Sequence, residues 1–248
     1  MQYKAYCFDL DGTVYRGNEP IASAVTFIHA LQAKGIEPFF ITNNSSKTVA
    51  ELQATLEDMG IVAQADHIYS SALATAKYIT ENFAGERALL IGSHGLRDAL
   101  QRAGVELVEQ GGSIVVVGID REVNYMKLAA AAVAVQHGAT LLSTNQDVKF
   151  PTEFGFVPGN GAFTELIAGV AGVEPIYIGK PSPLMLEMIA RDHHLRKQDM
   201  VLVGDNHDTD IMCGVAYGIA TIHVDTGVTR SKDAIHATQR VAQLTDLL

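Results

Sequence analysis

Short runs of apolar residues recur along the chain and alternate with segments of helical periodicity, and this alternation limits the accessible folds more than any other feature. Examples of the runs are "FFIT" at 39–42, "SIVVVG" at 113–118 and "VLVG" at 201–204. Runs without a polar residue at every second position predict strands that are buried on both faces, which is typical of parallel sheets covered by helices. We therefore predict an α/β fold with a doubly wound parallel sheet.

The predicted strands and helices are too many for one sheet. No Pro-, Gly- or Ser-rich linker separates them into consecutive blocks. We therefore expect a second domain to be inserted into the first through short crossings of the chain, rather than to follow it.

Composition excludes several classes of protein. A net charge of −10 argues against a nucleic-acid partner, because such a partner requires a basic face. No apolar stretch approaches the ~20 residues that span a bilayer, and the N-terminal residues lack the pattern of a signal peptide. Two cysteines make neither a disulfide framework nor a zinc site, so we expect a protein of the reducing cytoplasm, without membrane association.

Carboxylates follow two of the predicted strands directly. Asp9 and Asp11 lie in "DLDGT" at the end of the first strand, and Asp205 follows "VLVG". Ligands bind beyond the carboxyl ends of strands in open α/β sheets, and carboxylate oxygens suit Mg²⁺. The alternative for "DLDGT" is an ordinary strand-to-turn junction, and for "GDNHDTD" at 204–210 it is capping of the next helix by Thr209 or Asp210.

Two further strand ends supply groups that suit an anion. Thr42 and Asn43 follow "FFI", where a hydroxyl and the backbone N–H groups of a strand-to-helix turn would cradle phosphate. Lys180 follows the strand predicted at 176–178 and would act as a point cation. Helix capping explains the first pattern equally well, and a solvated loop lysine is the alternative for the second.

These four segments resemble, in order, the four motifs of the haloacid dehalogenase (HAD) superfamily. The motif segments are "DLDGT" at 9–13, "TNN" at 42–44, "GKPSP" at 179–183 and "GDNHDTD" at 204–210. The segments "DLDGTVYRG", "TNNSS", "VVVGID", "STNQD", "PGNGAF" and "GVTR" are similar to the NagD-like, p-nitrophenyl phosphatase-like branch. The resemblance implies a Rossmann-like HAD core over 1–80 and 175–248, with an α/β cap of the C2 type inserted over 81–174.

The resemblance also implies a mechanism. Asp9 would be the nucleophile that forms an aspartyl-phosphate, and Asp11 the general acid and then the base. Mg²⁺ would be held by Asp9, Asp205 and the backbone carbonyl of Asp11. Asp210 would orient Lys180 or a metal-bound water. The residues implied to bind substrate or phosphate are Asp11, Thr42, Asn43, Lys180, Asn206, His207, Asp208 and Thr209.

The implied activity is hydrolysis of a small phosphomonoester. Sugar phosphates are the expected substrates, with nucleoside monophosphates, phosphoglycolate and pyridoxal phosphate as alternatives, and a homodimer is allowed. Selectivity is expected from the cap segment 143–161, where Asp147, Lys149 and Glu153 are candidate contacts or residues of a solvated loop. A receiver-like phosphoacceptor, a dehalogenase, a phosphomutase and a metabolite-binding protein are the rival interpretations.

Overall fold

The computed structural model describes residues 2–152, 154–230 and 232–248. The chain divides into two compact units. The first unit comprises Met1–Thr42, Val49–Tyr69 and Lys180–Leu248, and the second comprises Asn43–Thr48 and Ser70–Gly179.

The helices and strands follow one another in short succession. The α-helices are α1 (Ala22–Gln32), α2 (Val49–Asp58), α3 (Ser71–Asn82), α4 (His94–Arg102), α5 (Tyr125–Gln136), α6 (Asn160–Ala171), α7 (Leu184–Asp192) and α8 (Met212–Tyr217). The strands are β1 (Ala5–Phe8), β2 (Tyr15–Arg16), β3 (Glu19–Pro20), β4 (Phe39–Thr42), β5 (Ile68–Ser70), β6 (Arg87–Ile91), β7 (Glu106–Val108), β8 (Ile114–Val117), β9 (Thr140–Ser143), β10 (Lys149–Thr152), β11 (Gly155–Pro158), β12 (Ile176–Tyr177), β13 (Met200–Gly204), β14 (Ala220–Val224) and β15 (Gln239–Val241).

The first unit is built on a sheet with the strand order β15-β14-β13-β1-β4-β5. β1 pairs in parallel with β13 and with β4, and β14 pairs in parallel with β13 and with β15. The chain builds outward from β1 in one direction through β4 and β5, and in the other through β13, β14 and β15. The strand order therefore switches direction beside β1, and in such sheets a ligand crevice forms beyond the carboxyl ends of the strands at the switch.

Aromatic side chains fill the core of the first unit. Phe8 on β1, Phe27 on α1 and Phe40 on β4 are fully buried, and the ring centroids of Phe8 and Phe27 lie 6.2 Å apart with the planes at 69°. On α1, the buried residues 24, 27, 28 and 31 follow the helical spacing of a single apolar face. This packing fixes the strands whose carboxyl ends carry the polar residues.

The second unit has its own parallel sheet, with the strand order β12-β9-β8-β6-β7. On its central strand β8, Ile114 and Val116 pack into one apolar cluster, whereas Val115 and Val117 pack into another. The strand is thus covered on both faces, which is why its sequence is continuously apolar. An antiparallel hairpin of β10 and β11 follows β9.

The predicted fold class, α/β with doubly wound parallel sheets, is confirmed. Some elements differ from the sequence-based prediction. The sequence from Pro20 to Lys34 predicts a helix with proline near its start, but helix α1 begins only at Ala22, because Glu19–Pro20 pairs with Tyr15–Arg16 as a short antiparallel ribbon. Helix α3 was not predicted, and it packs against α4 in the second unit.

The predicted cap boundaries at 81 and 174 stay a prediction. Among the described residues, no helix combines the length and apolarity that a membrane crossing requires.

Candidate active site

A group of charged side chains lies at the carboxyl ends of β1 and β13 in the first unit. Asp9 directly follows β1, and its backbone N–H donates to the carbonyl of Val203 at 2.9 Å, which continues the pairing with β13. Asp205 directly follows β13. Since β1 and β13 are neighbours at the switch of strand order, the two carboxylates come close together although 195 positions separate them in the numbering.

Lys180 is the cation of this group and is only 2% exposed. Its ammonium donates to Asp9 Oδ1 at 2.5 Å and to Asp210 Oδ1 at 2.7 Å. A third contact, at 3.3 Å, reaches the carbonyl of Ile41 on β4. The ammonium therefore ties the end of β1 to the turn after β13 and to β4. The contact with Asp210 agrees with the interpretation that Asp210 orients Lys180.

Asp205 is held by two donors of different kinds. The hydroxyl of Thr13 donates to Oδ1 at 3.0 Å, and the backbone N–H of Val228 donates to Oδ2 at 2.7 Å. Glycines make room for the carboxylate: a Cβ at Gly12 would lie 2.7 Å from its atoms, and a Cβ at Gly227 would overlap them. The position of the Asp205 side chain is thus fixed from several directions.

The carboxylates outnumber the cation, and their acidities reflect this. Burial raises the pKa of Asp9 well above its ordinary value, and the charge of Asp210 raises it further, although Lys180 offsets part of the effect. Burial and Asp210 also raise the pKa of Asp205, against the hydrogen bonds from Val228 and Thr13. For Lys180, burial alone would lower the pKa, but Asp210 and Asp9 outweigh it and raise the pKa. Burial is therefore the largest cause of the raised pKa values of both aspartates, and the charge of Asp210 adds to it.

One ligand oxygen from each of Asp9, Asp205 and Asp210 lies within 4.8 Å of the others, so these three carboxylates could hold a metal ion. All three residues are buried. Hard oxygen donors in this number fit a small divalent cation such as Mg²⁺. Burial and the neighbouring carboxylates raise the pKa values of Asp9 and Asp205, which a cation would counteract. The donor set therefore fits the divalent metal that the HAD family generally uses.

The structure brings two more predicted residues to the same strand ends of the first unit. Asp11 is exposed and lies at the turn after β1, where its backbone pairs with Tyr15. Thr42 is buried and is the last residue of β4. The metal cluster contains the carboxylate of Asp210, and the prediction that Asp11 supplies its backbone carbonyl to a metal stays a prediction.

The residues after Asp205 form a single π-helical turn, His207–Ile211. The side chain of Asn206 accepts from the backbone N–H of Asp208 at 3.0 Å, and the backbone N–H of Asn206 donates to Asp210 Oδ2 at 3.0 Å. Asp208 is exposed, whereas His207 and Thr209 are partly buried. His207 contacts Asp208 through Nδ1 at 2.9 Å. The turn thus positions Asp210, and its four preceding residues stay predicted phosphate contacts.

Three of the predicted contacts, Asn43, Asp147 and Lys149, lie in the second unit. The side-chain amide of Asn43 donates to Asp147 Oδ2 at 3.4 Å. Lys149 begins the β10–β11 hairpin, and its ammonium lies 4.5 Å from the centroid of the Phe156 ring. Glu153 lies outside the described residues. Their proposed contacts with substrate stay predictions.

Sequence reasoning missed several groups that shape the site. Thr13 was interpreted as a turn residue only, although its hydroxyl contacts Asp205. The backbone N–H of Val228 and the small size of Gly227 have no signal in composition or periodicity, but both lie in "GVTR", one of the segments on which the family resemblance was based. The carbonyl of Ile41 could not be found from the sequence, because every residue carries one.

The chain is similar to known proteins over most of its length. A model of the haloacid dehalogenase-like hydrolase family matches residues 6–106, and a model described as HAD-hydrolase-like matches residues 177–248. The acid sugar phosphatase of Staphylococcus saprophyticus is 46% identical over 232 residues, which cover 93% of this chain and 90% of that protein. The acid sugar phosphatase of Staphylococcus aureus strain MRSA252 is 45% identical over 233 residues, covering 94% and 90%.

Solved structures extend the likeness over the whole chain. A double mutant of the thermostable NPPase from Geobacillus stearothermophilus superposes with a TM-score of 0.94 at 40% identity, covering 99% of this chain and 98% of that one. The p-nitrophenyl phosphatase from Archaeoglobus fulgidus gives a TM-score of 0.94 at 29% identity, covering 100% and 98%. The chain belongs to the haloacid dehalogenase-like hydrolase family, as the motifs predicted.

Proposed function

We propose that the protein is a Mg²⁺-dependent phosphomonoesterase that hydrolyses small sugar phosphates through an aspartyl-phosphate on Asp9. The observation that carries the proposal is the buried contact of Lys180 with Asp9 and Asp210 beside Asp205, at the switch point of a HAD-family sheet. A lysine so placed orients a carboxylate and offsets the charge of an incoming phosphate.

Asp9 is the nucleophile of this proposal. One of its oxygens, Oδ1, is engaged by the ammonium at 2.5 Å, which holds the plane of the carboxylate and favours attack by the other oxygen. A covalent intermediate divides one difficult hydrolysis into two displacements. Formation of the acyl-phosphate breaks the phosphorus–oxygen bond of the ester, and water then cleaves the bond between phosphorus and Asp9.

Asp11 is the general acid and base. Its exposure allows the carboxyl to exchange protons with water between the two steps, whereas Asp9 is buried. In the first step it donates a proton to the leaving alcohol, and in the second it accepts one from the attacking water. Such a proton transfer contributes roughly 10²- to 10⁴-fold.

The remaining catalysis comes from positioning and charge. Enzymes accelerate hydrolysis of phosphate monoesters by up to ~10²¹-fold, far more than one proton transfer supplies. In the proposal, Thr42, the turn at Asn43 and the ammonium of Lys180 hold phosphate oxygens. Asp9, Asp205 and the backbone carbonyl of Asp11 would hold Mg²⁺, which would supply positive charge against the charge of the phosphate, while Asp210 would orient Lys180. A cytoplasmic location and a homodimer stay predictions.

Sugar phosphates are proposed because both curated relatives described above are named acid sugar phosphatases. The test is a phosphate-release screen with Mg²⁺ over sugar phosphates, nucleoside monophosphates, phosphoglycolate, pyridoxal phosphate and p-nitrophenyl phosphate. We expect the highest kcat/KM on a sugar phosphate and loss of turnover in EDTA. Full phosphate release in EDTA would remove the metal from the proposal, and an isomerised sugar phosphate would indicate a mutase.

A matched pair of variants tests the nucleophile. Asp9→Asn is expected to reduce turnover below a few per cent of the wild-type rate, because an amide is a poor nucleophile for phosphorus. Asp66→Asn, in a short helical turn of the same unit, is the control for the same chemical change and should retain activity. Substantial turnover in Asp9→Asn would remove Asp9 as the nucleophile.

A further inference from the structure

Two of the residues assigned to the phosphate lie at the points where the chain changes unit. The chain leaves the first unit after Thr42, returns to it over Val49–Tyr69, and re-enters it finally at Lys180. The adjoining residues, Asn43 and Gly179, belong to the second unit. Contacts that fix the backbone of Asn43 and Gly179 therefore also restrict the positions of their neighbours Thr42 and Lys180.

One loop of the second unit holds both adjoining residues. This loop, residues 144–147, follows β9, and we call it the linker clamp. The side-chain amide of Asn145 donates to the carbonyl of Asn43 at 3.0 Å. The carbonyl of Thr144 accepts from the backbone N–H of Gly179 at 3.0 Å. The hydroxyl of Ser71, on α3, also donates to the Asn43 carbonyl, at 2.8 Å.

The linker clamp is itself fixed by buried hydrogen bonds. Asn145 is 7% exposed, and its Oδ1 accepts from the backbone N–H of Asp147 at 3.1 Å. Its carbonyl accepts from Ser143 Oγ at 2.8 Å and from Asn160 Nδ2 at 2.9 Å. Asn160 is 2% exposed. These hydrogen bonds fix the backbone of the linker clamp, although Oδ1 of Asn160 has no hydrogen-bond partner among the described residues.

Packing leaves little room for a different arrangement. A Cβ at Gly179 would overlap the carbonyl oxygen of Thr144 and would lie 2.6 Å from Oδ1 of Asn43. Because Gly179 has no side chain, its backbone can lie against both Asn43 and the carbonyl of Thr144 in the linker clamp. The hydrogen bond from Asn145 is the side-chain contact of the clamp with the carbonyl of Asn43.

We propose that Asn145 is a positioning residue: it fixes the Thr42–Asn43 turn so that the turn is preorganised for the phosphoryl group. The inference rests on the proposed phosphatase function. Misplacement of a binding group by about 1 Å can cost about 100-fold in rate. Because Asn145 acts on the phosphate end of the site, its loss should affect all phosphomonoesters by the same factor.

Asn145→Asp tests the inference. The carboxylate has nearly the size of the amide and can still accept from the backbone N–H of Asp147. It cannot donate to the carbonyl of Asn43. We expect kcat/KM to fall about 10- to 100-fold on both p-nitrophenyl phosphate and the best sugar phosphate, with their ratio unchanged. The matched control is Asn82→Asp, an exposed asparagine whose amide also donates to a backbone carbonyl, that of Tyr78 at 2.9 Å.

Inhibition by orthovanadate separates positioning from a general loss of structure. A positioning defect should raise the vanadate inhibition constant by the same factor by which kcat/KM falls, because vanadate mimics the transition state. The measurement is made well below the melting temperature of each variant. Ser71→Ala, which removes the other donor to the same carbonyl, should weaken vanadate binding in the same sense and provides the result if Asn145→Asp does not fold.

The outcomes are distinct. An active wild type with Asn145→Asp within twofold of its kcat/KM overturns the inference alone. A changed ratio between the two substrates would make Asn145 a specificity residue, and a lower kcat/KM with unchanged vanadate inhibition would make its role merely structural; either result overturns positioning. A folded wild type without turnover on any phosphomonoester removes the proposed function and, with it, this inference.

Discussion

Replacement of Lys180 by methionine should destabilise the first unit strongly, because it removes the one cation from the buried carboxylate cluster of the described residues. At an effective dielectric constant of 20, each contact of the ammonium with Asp9 and Asp210 corresponds to about 6 kcal/mol of Coulomb attraction. Desolvation of the ammonium cancels much of this sum. Breaking a buried pair by removing one partner typically costs about 3–5 kcal/mol.

Protonation of one carboxyl of the cluster gives a second estimate of the stability that Lys180→Met loses. A carboxyl with an ordinary pKa of 3.8 can be kept neutral at pH 7 for about 4 kcal/mol, which agrees with the typical loss. In the variant, the folded state then binds one proton more than the unfolded state. The difference in free energy of unfolding between the wild type and the variant should therefore shrink by about 1.4 kcal/mol for each pH unit of acidification. This trend ends at the pKa of the carboxyl in the unfolded chain.

The assay is urea unfolding in EDTA at pH 7.0 and pH 5.5, with Arg102→Met as the control. Arg102 also donates to an aspartate, Asp98, at 2.8 Å, but the two side chains are 79% and 37% exposed, so its loss should cost less than about 1 kcal/mol. The melting temperature of Lys180→Met should fall by about 6–20 °C at pH 7. A deficit below about 1 kcal/mol, or one that does not change with pH, would refute the reasoning.

Three further perturbations address the acid, the metal and the core. Asp11→Asn should lose more rate on alkyl phosphates than on p-nitrophenyl phosphate, whose leaving group needs little protonation; equal losses in steady-state assays would contradict the acid role. Gly12→Ala should weaken Mg²⁺ binding in calorimetry far more than Gly17→Ala, because both glycines have positive φ but only Gly12 approaches a carboxylate; equal weakening would point to backbone strain alone. Cys7 and Cys213 are buried, and burial raises the pKa of Cys213 to about 12, so a thiol reagent should label neither until urea is added; rapid labelling of native protein would contradict the packing.

The sequence predicted the strand ends well because parallel strands buried on both faces leave a plain signal. The runs at β1, β4, β8 and β13 are fully buried as predicted. Polar residues that directly follow such runs lie at the sheet edge by necessity, so Asp9, Thr42 and Asp205 could be placed before any coordinates. Lys180 was found in the same way, although its strand β12 is only partly buried and belongs to the second unit.

What the sequence could not predict depends on contacts between distant segments. Helix α3 begins directly after β5 and has many small residues, so its apolar face was not recognised; packing against α4 fixes it. The β10–β11 hairpin was missed because each of its strands contains a proline, which disfavours a strand, and most residues of β11 are exposed. The donors to Asp205 come from residue 13 and from a backbone N–H at residue 228, which no local pattern could bring together.

The glycines explain how a close-packed core accommodates so many buried carboxylates. Gly12 and Gly227 flank Asp205, and Gly204 flanks Asp210, so a side chain at any of the three would occupy the space of a carboxylate. At Gly12, a φ of 91° adds a backbone conformation that other residues rarely adopt. Sequence reasoning favours residues that carry functional groups, whereas here the positions without side chains decide where the charges fit. Desolvation of the carboxylates and repulsion between them both oppose folding, and both raise the pKa values of Asp9 and Asp205. Functional sites keep such costs where the arrangement serves a ligand, and a divalent cation is the ligand that would relieve this one.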